Sequence, residues 1–191
     1  YENHKVLTYP RTDSRYLTGD MTGTLKERLL ACAAGPYRKT ASRLAMQDIR
    51  ANKSFVNDAK VSDHHAIIPT EQYVQLEHMS NEERRIYDLV VRRFLAVLSP
   101  ACEYEETVLA GTIGKEVFHA RASRILKTGW REIYDATWQD IEADDTADTP
   151  WNQGESTAEE HVLANIKEGT SLSVASISVT EGQTSPPPYF T

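Results

Sequence analysis

The chain has 191 residues, 40% of them hydrophobic and 26% charged, close to the globular average and long enough to bury a core in one domain or two small ones. No apolar run has the length of a membrane span, and no basic-then-apolar start marks a signal peptide, so a soluble, cytoplasmic protein is expected. The net charge of −7 is uneven: residues 1–100 carry 15 Lys and Arg against 12 Asp and Glu, a balance of +3, whereas residues 101–191 carry 6 against 16, a balance of −10. Any surface facing a polyanion therefore belongs to the first half. Cys32 and Cys102 are the only cysteines and form no Cys-x-x-Cys pair, which excludes a zinc ribbon and favours two reduced thiols.

Tyr1-Glu2 reads as the end of a helix, and the chain as an internal piece of a longer protein. Lys5-Val6-Leu7-Thr8-Tyr9 is a β-branched and aromatic run closed by Pro10, which predicts a strand leaving a sheet. Thr12, Asp13 and Ser14 are cap-type residues, so a helix is expected to open at Arg15-Tyr16-Leu17. Thr24 to Ala34 predicts a helix with Leu25, Leu29 and Leu30 on one face, stopped by Gly35-Pro36. Tyr37 to Ile49 repeats the pattern. A polar stretch from Arg50 to Asp63 leads to the apolar Ala66-Ile67-Ile68, closed by Pro69-Thr70. The clearest helix follows: Ser80 and Glu83 form a capping box, and Ile86, Leu89, Val90, Phe94 and Val97 are the predicted buried stripe, ended by Ser99-Pro100.

Beyond Pro100 the period changes to two. Glu103 to Ile113 and Glu116 to Ala120 predict a hairpin around Gly114-Lys115, continuing as strand to Lys127, with a turn at Gly129-Trp130. Residues 137–160 are acidic and aperiodic, which predicts a flexible surface loop. Ser171 to Thr180 alternates Leu172, Val174, Ile177 and Val179, as a strand does, before a proline-rich exit. The fold class expected is α+β: a mainly helical first half, residues 1–99, and a β-rich second half, residues 100–191.

The segment Leu7-Thr8-Tyr9-Pro10-Arg11-Thr12-Asp13-Ser14 carries the chemistry. A phenol can attack a phosphodiester and leave again as phenolate, so a tyrosine can hold a strand end covalently. With an ordinary pKa of about 10 it needs help at neutral pH. Arg11 offers a positive charge and a forked donor set matched to phosphate oxygens. Taken alone, a Tyr in a β-rich run is more often packing, and an Arg near cap residues is more often solvated.

The string from Leu7 to Leu17 closely resembles the active-site signature of bacterial type IA DNA topoisomerases. Ser62-Asp63-His64-His65-Ala66-Ile67-Ile68-Pro69-Thr70 resembles that family's downstream histidine motif in its topoisomerase III form. Pro186-Pro187-Pro188-Tyr189-Phe190-Thr191 is similar to the start of a third motif. The resemblance implies that Tyr9 is the nucleophile, forming a 5′-phosphotyrosine and freeing a 3′-hydroxyl. It implies that Arg11 neutralises the scissile phosphate and that His64 contacts the strand nearby. Thr12, Ser14 and Arg15 are candidate DNA-binding residues, although capping explains the first two equally well. His65 has no assigned role.

The family's Mg²⁺ is held by a toprim domain, and nothing in this sequence resembles one, so no metal site is expected here and the fragment alone should be inactive. The resemblance further implies a winged-helix-like cap domain followed by an arch segment, with single-stranded DNA and the parent chain's other domains as partners, in a monomer. Two alternatives stay open: a topoisomerase I or reverse gyrase branch, and a non-catalytic single-stranded DNA-binding or protein-interaction module that keeps the fold.

Overall fold

The computed structural model describes residues 1–134, 166–176, 178–179 and 181–182. They divide into two compact units: Tyr1–Glu106 with the described part of Ser123–Gly154, and Thr107–Ala122 with the described part of Glu155–Thr191. Among the described residues, three α-helices and one two-stranded antiparallel ribbon make the fold α+β, as expected.

In the first unit, α1 (Leu25–Ala31) packs on α2 (Arg38–Ala45), and α2 on α3 (Asn81–Leu98). Both α1 and α2 are shorter than predicted. The first ends at Cys32, and Gly35 at φ +47° breaks the chain in a conformation that L side chains rarely adopt. Leu25, Leu29, Ala41, Leu44, Val91 and Leu95 are buried to within 1% and form the centre of one core. The Tyr37 hydroxyl, also buried, donates to Asp88 at 2.8 Å, and Arg92 pairs with the same carboxylate at 2.8 Å. These bonds satisfy a polar cluster that would otherwise be costly between α2 and α3. Burial pushes the Tyr37 phenol well above its ordinary value.

The capping box that opens α3 is present. The Ser80 hydroxyl accepts from the Glu83 amide at 3.3 Å, and the Glu83 carboxylate accepts from the Ser80 amide at 2.9 Å. The predicted stripe holds at Phe94 and at Val97, which packs against the core, and is corrected elsewhere. Ile86 and Leu89 are exposed, 59% and 70%, while Tyr87, Val91, Phe94, Leu95 and Ala96 face the core. Apolar residues occur almost all round this helix, so its period allows two faces, and the neighbours α2 and residues 129–134 select one.

Four other expectations are also corrected. Residues 15–17 do not begin a helix: Leu17 pairs in a parallel bridge with Val56, and a 3₁₀ turn follows only at Gly19–Thr24. The side chains of Thr12 and Ser14 bind backbone across the fold instead of capping. The run Lys5 to Tyr9 forms a single antiparallel bridge, Leu7 with Pro69, and no sheet strand. Proline cannot donate to a ladder, which keeps the pairing short. The start of the chain is a turn closed by one bond from the Lys5 amide to the Tyr1 carbonyl at 3.1 Å. The described residues between 171 and 179 carry no regular strand, and Leu172, Val174 and Val179 are exposed. Alternation makes a strand only when another edge pairs with it. The predicted acidic loop and the final proline-rich motif lie outside the described residues.

The hairpin is as predicted, with β1 (Glu103–Ile113) and β2 (Glu116–Lys127) turning at Gly114, φ +62°. Arg124 pairs with Glu105 at 2.8 Å and Lys127 with Glu103 at 2.9 Å across its root. The turn at Gly129 has φ +51°, and a Cβ there would collide with the Ala101 carbonyl, so only glycine fits. It leads into a 3₁₀ helix, Gly129–Tyr134, whose Ile133 is fully buried in the core. Both cysteines are free.

Candidate active site

Two segments, residues 5–17 and 55–70, the second interrupted by a 3₁₀ turn at Asp58–Lys60, are hydrogen-bonded to each other and together build the site. The Thr70 amide donates to the Val6 carbonyl (3.0 Å), and the Thr8 amide to the Ile68 carbonyl (2.9 Å). The Thr8 hydroxyl donates to the Ala66 carbonyl (3.4 Å) and accepts from the Ile68 amide (3.0 Å). Farther along, the Ala66 amide donates to Tyr16, and the Leu17 amide to Phe55. Val6, Leu17, Phe55, Ile68 and Pro69 are buried, so the pair is anchored in the core while its polar edge stays outside.

Arg28 of α1 holds the second segment from beneath. It is 8% exposed, donates to the Pro69 carbonyl at 2.9 Å and pairs with Glu71. Burial lowers its pKa, and the Glu71 carboxylate opposes that shift.

Where the pairing ends, Tyr9 emerges, 37% exposed. Its ring lies 4.4 Å from the His64 ring between centroids and 5.5 Å, edge-on, from the Tyr1 ring. Beside it opens a shallow pocket of about 590 Å³ lined by Pro10, Arg11, Thr12, Asp13, Ser62, Asp63 and His64. The structure thus brings Tyr9, Arg11 and His64 to one place, although His64 lies 53 or more residues from the other two in sequence. Tyr9 meets His64 ring to ring, and no hydrogen bond joins the two among the described residues.

Thr12 and Ser14 are also there, with their hydroxyls engaged. Thr12 donates to the His64 carbonyl at 2.9 Å and accepts from the Ser14 amide at 3.1 Å. Ser14 donates to the Lys60 carbonyl at 2.8 Å. Both lock the two segments together next to the pocket. Arg15 turns away from the pocket, over the Tyr16 ring. His65 points elsewhere too, with Nδ1 2.7 Å from the Ala66 carbonyl, which sets its Nδ1–H tautomer when neutral.

Sequence reasoning did not single out Tyr1, Asp63 or Lys60. Tyr1 needed the fold to bring its ring to Tyr9, Asp63 lines the pocket beside its sequence neighbour His64, and Lys60 has no local signal at all.

The arrangement suits an anionic ester. The phenol is open to an incoming substrate, and the Arg11 guanidinium and an imidazole N–H of His64 are groups able to donate to non-bridging oxygens. Asp13 and Asp63 line the same pocket and offset that positive charge. Among the described residues no group of three or more His, Cys, Asp or Glu side chains converges as a metal-ligand set.

The α+β scaffold presents an exposed tyrosine beside an open pocket, and the chain belongs to the DNA topoisomerase family, whose model matches residues 1–191. It is similar to the DNA topoisomerase 3 of a Bacillus cereus strain, 52% identical over 190 residues, covering all of this chain and 25% of that protein. The DNA topoisomerase 3 of Bacillus subtilis (strain 168) is 44% identical over 190 residues, with 24% of its length covered, and that of Bacillus licheniformis is 45% identical with the same coverage. The chain therefore spans about a quarter of the length of these relatives. No helix among the described residues is long and apolar enough to cross a membrane.

Proposed function

We propose that this chain is the tyrosine-bearing part of a type IA, topoisomerase III-like enzyme that opens and reseals one DNA strand. The observation that carries the reading is the meeting of Tyr9 with His64 at the mouth of the pocket that Arg11 lines. The Tyr9 oxygen attacks the scissile phosphorus, an O–P bond forms as a 5′-phosphotyrosine, and the bond to the 3′-oxygen breaks. The phenolic proton leaves to solvent or to His64, and the departing 3′-oxygen takes up a proton from an acid outside this chain. Attack by the 3′-hydroxyl reverses every step and reseals the strand. Arg11 stabilises the negative charge that grows on the phosphate.

On this reading residues 1–99 are the cap and residues from 100 the arch of a longer parent. The parent's toprim domain holds the Mg²⁺, and this chain alone does not relax DNA. The parent relaxes and decatenates DNA by passing a second strand through the opened one.

The test traps the intermediate. The parent-length protein, mixed with a labelled single-stranded oligonucleotide and quenched in detergent, is expected to carry the label covalently, and Tyr9→Phe to carry none. A folded parent that binds the oligonucleotide without any adduct would overturn the proposal in favour of a binding module.

A further inference from the structure

Next to the pocket, but outside it, lies a cluster that the cleavage chemistry does not use. The Tyr16 hydroxyl accepts hydrogen bonds from Arg15 at 3.2 Å and from Lys60 at 3.5 Å, two cations brought together from 45 residues apart by the paired segments. The same groups lie 5.3 Å and 5.0 Å from the centre of the Tyr16 ring. Neither cation pairs with a carboxylate in any ion pair among the described residues. The backbone beneath is fixed, because Ser14 donates to the Lys60 carbonyl and the Ala66 amide to the Tyr16 carbonyl.

Two like charges converging on one neutral phenol repel each other, and the ring face and oxygen lone pairs offset only part of that repulsion. An anion would remove it. The hydroxyl that accepts from both cations also keeps its own proton, which has no acceptor among the described residues, so a guanidinium, an ammonium and a phenol O–H converge as donors. That set matches the oxygens of a phosphate. The Tyr16 phenol is held below the ordinary tyrosine value, first by the bond from Arg15 and then by that from Lys60, as an electropositive site requires.

We propose that Arg15, Tyr16 and Lys60 form a second phosphate-binding subsite, which holds the single-strand backbone at a position distinct from the scissile phosphate at Tyr9. As a strand subsite it rests on the cleavage reading above. Both segments that carry it continue directly from the pocket: Tyr16 lies three residues beyond Asp13, and Lys60 two residues before Ser62. Four residues span at most about 14 Å, so Arg15 sits within a few nucleotides of Arg11. The pocket, with two carboxylates among its lining residues, has little excess positive charge of its own. The subsite supplies the grip that the pocket lacks.

The test measures binding of a dye-labelled oligothymidylate to the parent-length protein by fluorescence anisotropy across a salt series. Neutralising one phosphate contact on a single strand contributes about 0.7 to the slope of log affinity against log salt. The double variant R15A/K60A is expected to lose about that much slope, which amounts to about fivefold in affinity at roughly 0.1 M salt relative to 1 M. The charge-conserving R15K/K60R should keep the slope, and Tyr16→Phe should keep the slope while weakening binding by less than the double variant does. All these side chains are at least partly exposed, and circular dichroism checks that each variant folds. Unchanged slope and affinity in R15A/K60A would overturn the subsite, while a covalent adduct from the wild type with the same oligonucleotide would leave the cleavage reading standing. If the wild type makes no adduct and R15A/K60A still loses its slope, the anion subsite stands and the cleavage reading falls.

Discussion

Thr8 sits next to the candidate nucleophile and uses one oxygen twice, accepting from the Ile68 amide and donating to the Ala66 carbonyl. Its own amide donates to the Ile68 carbonyl, so a single residue ties the tyrosine segment to the histidine segment three times. Thr8→Val keeps the shape and removes the hydroxyl, leaving the Ile68 N–H without its acceptor. The expected cost is about 1 to 2 kcal/mol, read as a lower urea midpoint at unchanged slope, and Thr8→Ser should recover most of it. A Thr8→Val chain as stable as the wild type would show that the hydroxyl contributes nothing. The same logic separates Thr12 and Ser14 from Arg11. The two hydroxyls are already committed to backbone, whereas the Arg11 guanidinium lines an open pocket.

At the scale of elements, α3 shows how a well-formed helix can present a face other than the one its pattern suggests. The capping box fixes where it starts. A backbone bond from Ser80, followed by the bond from His4, holds the Glu83 carboxyl below the usual carboxylate range, and His4 itself lies 3.2 Å away, so this helix end also ties down the start of the chain. Which way the helix rolls is decided by what packs on it. Leu95, fully buried, should cost about 2 to 5 kcal/mol as Leu95→Ala. Leu89, 70% exposed, should cost no more than about 0.5 kcal/mol as Leu89→Ala. Denaturation of the two variants checks the pair, and equal losses would restore the predicted stripe. The hairpin behaves differently, since its length, turn and partner are all local, and it forms as its alternation predicts.

For the molecule as a whole, one thiol reports on the core. Cys32 is 1% exposed in the core, and burial pushes its thiol up to about 12. In the unfolded chain a thiol ionises near its ordinary value of about 8.5, so the folded form keeps a proton that the unfolded form loses. Stability contributed by this group is complete below about pH 8.5 and declines as pH rises from there toward 12. Iodoacetamide at about pH 8 is therefore expected to spare Cys32 in the folded chain and to modify it at the rate of global unfolding, as peptide mapping would show. Rapid modification under native conditions would mean that the core opens locally.

Much of this protein was open to reading without coordinates. The α+β class, the capping box, the hairpin with its glycine turn and the motifs around Tyr9 and His64 all depend on near neighbours in the chain. For such features local backbone preference and side-chain chemistry point the same way. What only the tertiary structure decided depends on partners distant in sequence: the buried face of α3, the pairing of residues 5–17 with 55–70 in place of a helix at Arg15, and the meeting of Arg15 and Lys60 on Tyr16. A residue's periodicity limits which faces it can share, but burial and charge are settled by whatever arrives opposite, and no local pattern records that.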